Sequence, residues 1–415
     1  MAHTPHETTE SHTEDTPPIT EPYVLFVCVP IEIDEQGRRW TIDQWAKDLA
    51  LHLDYLDDLT LASPSTPRTS ADLVSLDEPP FDRLKFIDLP WATSRWQALK
   101  TLPRHVLQYW RAIGPARIVH AGFGGWPIIQ AWLVVPLAKL RGKFVLANVE
   151  SSPWRASVPG LPWHKRLRSH FGESLTRYCL RISDIRFFTS KSYLHELLPP
   201  HSPRAYVTPA TWLNEDWILR DDEAEAAWAA KDGPVRLLFA ARLIPEKGVA
   251  VLLSAIEAAC AAGADVGVSI IGTGPLLQDC IAFAQSEIGK KCVKLLEPVM
   301  YGEPFLSLLR GFDATLVPSL SDEQPRILYD AFSQAVPVIG SATGGICEVV
   351  ESEVTGRLLP PNDAGSLAHA LIWASDNRTV LRTMGLRGLA SVRDSTHRAM
   401  HQKRHEMLRE VLGVR

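Results

Sequence analysis

No stretch of this chain has the eighteen or so consecutive apolar residues that a spanning helix needs. The longest apolar run, near Trp126 to Leu140, is broken by Pro136 and ends in Lys139 and Arg141. Residues 1–21 contain no apolar core of the kind a secretion signal requires and are rich in Thr, His, Glu and Pro, which predicts a disordered tail. Cysteine is scarce: Cys28, Cys179, Cys260, Cys280, Cys292 and Cys347 are scattered with no C-x-x-C spacing, which argues against a zinc site or a disulfide framework. Basic excess is absent as well, since a formal charge of −5 gives no footing for nucleic acid as a partner. Together these absences point to a cytoplasmic protein that does not cross the membrane.

What is present is enough apolar material for two cores: 415 residues, 46% of them hydrophobic. Strand-like runs at Tyr23 to Val29, Leu59 to Ala62, Leu84 to Ile87, Ala116 to His120, Phe144 to Val149 and Ile185 to Thr189 alternate with helical patterns. The first of those helices, from about Ile42 to Leu53, is expected to open on a capping box of Thr41 and Gln44. The alternation resumes from Val235 to Ile339 after a linker-like segment, Tyr206 to Glu223. Such alternation predicts mainly parallel sheets covered on both faces. The division is 22–210 for a first domain, 211–390 for a second, and 391–415 for a charged terminal helix.

Two stretches of the second half carry chemistry. Ala241-Arg242-Leu243-Ile244-Pro245-Glu246-Lys247-Gly248 lies between the strand Val235 to Ala240 and a helix from Val249 to Ala262. Backbone N–H groups and the helix dipole favour an anion at such a junction, and two full cations suit a diphosphate, for which they can replace Mg²⁺. The plainer alternative makes Arg242 and Lys247 solvated loop charges. About seventy-five residues on, Pro318 to Ala331 repeats the design: strand Ala314 to Val317, polar loop Ser321 to Gln324, and a helix opened by Pro325 and running to about Gln334. Asp322 suits a helix N-cap, and Asp330 falls on the polar face of that helix.

In order, these motifs and the runs Ile270-Ile271-Gly272-Thr273-Gly274-Pro275, Val293 to Val299, Val336 to Ile339, Thr343 to Val350 and Thr355 to Asp363 resemble the retaining, nucleotide-sugar-dependent glycosyltransferases of family four. The resemblance implies the GT-B fold, an α/β architecture of two Rossmann-like domains facing across a cleft, with the donor held by the second and the acceptor by the first. It implies a nucleoside diphosphate sugar as co-substrate, a saccharide or lipid-linked acceptor, and no metal. By the same resemblance Arg242 and Lys247 face the diphosphate, and Asp330 accepts from the ribose hydroxyls. Asp322 or Glu323 faces the donor sugar, and Pro325, Arg326 and Leu328 belong to the donor loop. The base lies near Val299, and Gly37 lets backbone approach the diphosphate from across the cleft. The terminal helix is implied to cross back to the first domain. One departure stands out: the family carries two glutamates where this chain has Asp322 and Asp330, each one methylene shorter.

Other positions remain open between two readings. His120 ends a strand where the family carries a histidine near the donor sugar, but Gly122 replaces the second of the pair, so a buried structural histidine stands beside a catalytic one. Gly37 is equally well a plain loop glycine. Glu150 either contacts the acceptor or pairs with Arg155. Nine of the thirteen tryptophans precede residue 170, so Trp126, Trp154 and Trp163 suit either sugar stacking or burial. Trp163 to Arg168 with Arg177 and Arg181 forms a basic, partly amphipathic helix, suited to an anionic lipid surface or to solvent. The rival functions are a sugar phosphorylase and a nucleotide-sugar-binding subunit without turnover.

Overall fold

The computed structural model describes residues 17–413 apart from 126, 128, 156–161, 210 and 321–323. Strands of the first lobe are β1 (Tyr23–Phe26), β2 (Ile31–Ile33), β3 (Arg39–Thr41), β4 (Leu59–Pro67), β5 (Val74–Ser75), β6 (Lys85–Leu89), β7 (Ile118–Gly122), β8 (Phe144–Val149), β9 (Ile185–Phe188) and β10 (Ala205–Val207). Its helices are α1 (Asp43–Leu53), α2 (Arg95–Ile113), α3 (Ala131–Leu140), α4 (Trp163–Ile182) and α5 (Lys191–Leu197). The second lobe contains β11 (Val235–Ala240), β12 (Val266–Ile271), β13 (Val293–Leu296), β14 (Ala314–Val317), β15 (Val338–Ser341) and β16 (Gly356–Leu359). Around them lie α6 (Asp221–Ala229), α7 (Val249–Ala261), α8 (Leu277–Ala284), α9 (Gly289–Cys292), α10 (Glu303–Arg310), α11 (Ile327–Ser333), α12 (Gly344–Cys347), α13 (Ala364–Asp376) and α14 (Arg378–Val392). The last helix is α15 (His397–Leu412).

The second sheet is wholly parallel in the order β13-β12-β11-β14-β15-β16. Strand order therefore reverses between β11 and β14, and open α/β sheets bind ligands outside the strand ends at that point. The first sheet repeats the rule: β6, β4, β1, β7, β8, β9 and β10 run parallel in that spatial order, with the reversal between β1 and β7. A hairpin of β2 and β3 joins the distal half of β4, and β3 pairs antiparallel with both β2 and β5. One apolar layer of the first lobe is closed by α2, α3, α4 and α5, the other by α1 and α15. Leu408 of α15 is buried in that second layer, so the terminal helix crosses back to the first lobe.

Several expectations need correction. Ile19 is fully buried and its N–H donates to the Tyr55 carbonyl, so 17–21 is fastened to the first lobe rather than part of a loose tail. No capping box opens α1: its N-cap is Ile42, Thr41 ends β3, and the buried Thr41 hydroxyl has no hydrogen-bond partner among the described residues. The linker is shorter than its composition suggested, because Tyr206 lies in β10 and Asp221 to Glu223 open α6. Cys260 and Cys292, thirty-two positions apart, are joined as a disulfide. Their spacing hides this because tertiary packing of α9 against α7 brings them together.

Candidate donor cleft between two lobes

The loop after β11 is fixed by its neighbours. Leu243 is fully buried, its N–H donates to the Thr273 carbonyl, and Ala241 N–H donates to the Ile271 carbonyl. A Cβ on Gly272 would lie 1.9 Å from the Ala241 carbonyl oxygen, so only glycine allows this approach. Pro245–Lys247 makes one 3-10 turn, ended by Gly248 in the left-handed region at φ 74°. There a Cβ would meet the Pro318 carbonyl oxygen at 1.9 Å. The loop after β14 is tied to the same turn by a 2.8 Å hydrogen bond from Leu320 N–H to the Glu246 carbonyl. Two stretches about seventy-five residues apart in sequence thus form one wall at the switch point.

That wall borders a cavity of about 400 Å³ lined by Arg242, Lys247, Ser319, Gln324, Pro325 and Arg326 among others. Glu150 and Ser151, which follow β8 of the first lobe, line it from across the cleft. A second cavity, of about 310 Å³, lies at the first lobe's own switch point, where Val27 to Val29 and Phe123 to Gly125 line it. Glu150, Ser151 and Arg326 line both cavities, so the two meet there. The Arg326 guanidinium lies 4.6 Å from the centre of the Trp212 ring, a cation–π contact at the same junction.

Site residues expected from sequence separate into three groups. Arg242, Lys247, Pro325 and Arg326 line the second-lobe cavity, and His120 lines the other. Asp322 and Glu323 lie outside the described residues. The remaining four line neither cavity. Leu328 is fully buried in the apolar core of the second lobe. Helix α11 begins at Ile327, two residues after Pro325, and is only seven residues long. Asp330 is in its first turn but is buried rather than on a solvent-facing polar side. It does not line the cavity; Tyr301 donates to its Oδ1 at 2.8 Å. Burial raises the Asp330 pKa to about 7, against the lowering effects of the Tyr301 hydrogen bond and the Arg326 charge. Val299 is exposed after β13 and borders neither cavity. Gly37 lies in the exposed turn of the β2–β3 hairpin at φ 78°, its N–H donating to the Asp34 carbonyl. It too borders neither cavity; the glycines that do line the first-lobe cavity are Gly122, Gly124 and Gly125.

His120 is buried and its Nδ1 lies 2.9 Å from the Tyr23 hydroxyl. Burial, His52 and Arg404 together depress its pKa well below the usual range, so the ring is neutral at pH 7. Glu150 does not pair with Arg155, which bonds to Glu173 and Glu196. The Asn148 amide donates to Glu150 Oε1 at 2.8 Å instead, leaving Glu150 at the junction of the cavities. Trp154 is buried, while Trp163 is exposed at the start of α4.

A polar cluster that lines the first-lobe cavity through Asp48, His52 and His397 went unread in the sequence. Asp48 of α1 accepts from Nε2 of His397 at 3.0 Å and of His401 at 3.1 Å, with His52 Nδ1 3.3 Å from its other oxygen. Burial works to raise the Asp48 pKa, but the His52 charge and the three histidine hydrogen bonds outweigh it and hold the carboxyl well below its ordinary value. Burial, ahead of the His52 charge, lowers His401 to about 3. The four-residue spacing of His397, His401 and His405 on α15 was the available signal, since it puts all three on one face.

The lobes are joined outside the cleft as well. Glu348, just after α12, accepts from the backbone N–H groups of Lys191 and Ser192 at 2.7 Å each, capping α5 from the opposite lobe.

Residues 220–388 match the family model described as glycosyl transferases group 1. The match spans the second lobe, so that lobe is similar to the glycosyl transferases group 1 family. Similar curated proteins include the amylovoran biosynthesis glycosyltransferase AmsK of Erwinia amylovora, 34% identical over 148 residues. That match covers 34% of this chain and 35% of the relative. The GPI3 subunit of the phosphatidylinositol N-acetylglucosaminyltransferase of Saccharomyces cerevisiae is 29% identical over 149 residues, covering 36% of this chain and 33% of that protein. The chain thus matches about a third of the length of these relatives. Among solved structures, the sucrose-phosphate synthase of Thermosynechococcus elongatus superposes with a TM-score of 0.71 at 19% identity, over 95% of this chain and 100% of that one. Anabaena HepE, solved in complex with UDP and glucose, gives 0.63 at 14% identity, over 94% and 99%. These establish the GT-B fold for this chain, an α/β architecture with two parallel-sheet domains. Among the described residues no helix is long and apolar enough to cross a membrane.

Proposed function

We propose that the protein moves a sugar from a nucleoside diphosphate sugar to a hydroxyl acceptor, with retention at the anomeric carbon and without a metal ion. The observation that carries this reading is the convergence of Arg242, Lys247 and Arg326 on one cavity whose far wall belongs to the other lobe. As the glycosidic bond breaks, charge builds on the β-phosphate of the leaving nucleotide. Guanidinium and ammonium groups held at the switch point offset that charge in the place a divalent ion would otherwise take. The cavity of the first lobe, open to the same junction, supplies room for the acceptor, and Glu150 is positioned to hold its hydroxyl. The relatives' names support a saccharide or lipid-borne acceptor, AmsK serving amylovoran biosynthesis and GPI3 a phosphatidylinositol. The reading puts the reaction in the cytoplasm, where nucleotide sugars are made.

The reading is tested by a thermal-shift screen with UDP, GDP, ADP and their sugars, since a ligand of the folded state raises its melting temperature by mass action. One nucleotide family should stand out, and the same donor should release free nucleotide on incubation with acceptor extracts. No shift with any of them at millimolar concentration would refute the proposal. A second reading, donor binding without turnover, is favoured by one observation: the Asp330 carboxyl is spent on Tyr301 and does not reach the cavity. A strong shift with no product over long incubation selects it.

A further inference from the structure

The outer face of the first lobe carries large apolar side chains that are exposed among the described residues. On α4, Trp163 is 76% exposed, Leu167 62% and Phe171 66%. With Tyr178, also exposed, they lie at spacings of four, four and seven, which keeps them within about 80° of arc on one side of the helix. The opposite side, Gly172, Thr176, Cys179 and Leu180, is the buried one. Helix α4 is therefore apolar on both sides, and only one of them is accounted for by the fold. Its length explains why: twenty residues span about 30 Å, whereas the six of neighbouring β8 span about 20 Å, so one end overhangs the sheet. Residues Pro162 to Arg168 are accordingly exposed without a break. Because α4 leads directly into β9, the overhanging end is the amino end, on the side of the cleft.

Helix α2, packed on the same layer through α3, repeats the arrangement. Trp96, Leu99, Leu107 and Trp110 are exposed along one side, opposite the buried Ala98, Tyr109 and Ala112. The two stripes share a basic field. Helices α2, α3 and α4 hold ten Lys and Arg against a single carboxylate, Glu173, in a chain whose formal charge is −5. Glu173 is itself bonded to Arg155 and Arg177. Aromatic and leucine side chains on a helix bordered by Lys and Arg are the composition of an element that lies in the interface of an anionic bilayer.

We propose that the α2–α4 face docks on an anionic lipid surface, with Trp163, Leu167 and Phe171 entering the headgroup boundary and Lys165, Arg166 and Arg168 meeting lipid phosphates. The overhang then holds the cleft mouth against the bilayer, which suits an acceptor carried in the membrane; that last link rests on the transferase reading, while the docking does not.

The test is co-sedimentation of the full chain with sucrose-loaded vesicles of phosphatidylcholine, with and without 30% phosphatidylglycerol. Wild type should pellet with the anionic vesicles and stay largely in solution with the neutral ones. The triple variant Trp163→Ser, Leu167→Ser, Phe171→Ser should lose about tenfold or more in partition coefficient. Lys165→Glu, Arg166→Glu, Arg168→Glu should lose a similar factor, and wild type should be released by 0.5 M salt. All six positions are exposed, so melting temperature and nucleotide-induced shift should match wild type in both variants. A wild type that ignores anionic vesicles, or an apolar variant that binds them equally well, overturns the proposal. So does sedimentation velocity showing a wild-type dimer that the apolar variant makes monomeric, since a second copy would then occupy the face. Arg242→Ala should bind vesicles normally; a chain that binds vesicles but no nucleotide would sink the transferase reading and leave the docking surface standing.

Discussion

Both lobes reverse strand order in the same way, yet the loops at the two crevices differ in what they present. After β11 and β14 of the second lobe, the chain places Arg242, Lys247 and Arg326 on the cavity. The equivalent loops after β1 and β7, Val27 to Val29 and Phe123 to Gly125, contribute no charged side chain to theirs. Charge in the first lobe reaches the cavity from helices instead, through Asp48 and His52 of α1 and His397 of α15, where it fastens α15 to α1. The same scaffold thus presents cations from its loops in one lobe and a hydrogen-bonded carboxylate–histidine cluster from its helices in the other.

The largest expected effect tests the charge side of that contrast. Arg242→Ala and Lys247→Ala should each slow sugar transfer about a hundredfold, equivalent to about 3 kcal/mol of transition-state stabilisation, in initial-rate assays. His120→Ala should leave nucleotide affinity unchanged, since its ring faces the other cavity. Next comes the backbone that holds the cations. Gly248→Ala forces a Cβ to within 1.9 Å of the Pro318 carbonyl at a left-handed φ, and should cost about 3 kcal/mol. Calorimetry should show the melting temperature lower by about 6–12 °C.

How much of this contrast the sequence disclosed depends on the kind of contact. The loop cations were readable because Arg242 and Lys247 lie beside a strand end and a Pro-opened turn, all local features. Strands β8, β11 and β14 have the bounds their apolar runs suggested, since parallel strands buried on both faces leave continuous hydrophobic stretches. Non-local facts were hidden. Asp48 meets His397 some 349 positions on, Cys260 meets Cys292 through helix packing, and Asp330 is buried by Tyr301 from a different loop. Gly37 misled because a hairpin, closed by its own turn chemistry, occupies the place where a loop toward the cleft was expected.

Acidity pulls the two lobes in opposite directions. In the first, His401 and His120 have folded pKa values below the unfolded 6.5 or so, and therefore the unfolded state binds more protons once pH falls below about 6.5. Stability should drop as pH goes from 6.5 toward 4, by up to about 2 kcal/mol at pH 5 from His401, with His120 acting in the same direction. The Asp48 contribution, present above about pH 4, is lost on further acidification through its lowered folded pKa. His401→Gln should flatten the profile of melting temperature against pH; an unchanged slope would contradict the burial argument. In the second lobe Asp330 has a raised pKa of about 7, so its folded form binds the extra proton and its charge destabilises increasingly as pH rises from about 4 through 7. Asp330→Asn should accordingly raise stability at pH 8, by about 2 kcal/mol in denaturant titrations, and have little effect at pH 4. The smallest effect is at the contact outside the cleft: Glu348→Ala removes the cross-lobe acceptor at the start of α5, leaves the Ser190 cap in place, and should cost about 1 kcal/mol.

The most direct measurement of the central claim is calorimetric titration of the donor nucleoside diphosphate into wild type, Arg242→Ala, Lys247→Ala and His120→Ala, in buffer containing EDTA. Tight binding by wild type and His120→Ala, with at least about tenfold weaker binding by each second-lobe variant, is the predicted result. Equal affinity in all four proteins would contradict the assignment of the diphosphate to the loop cations of the second lobe.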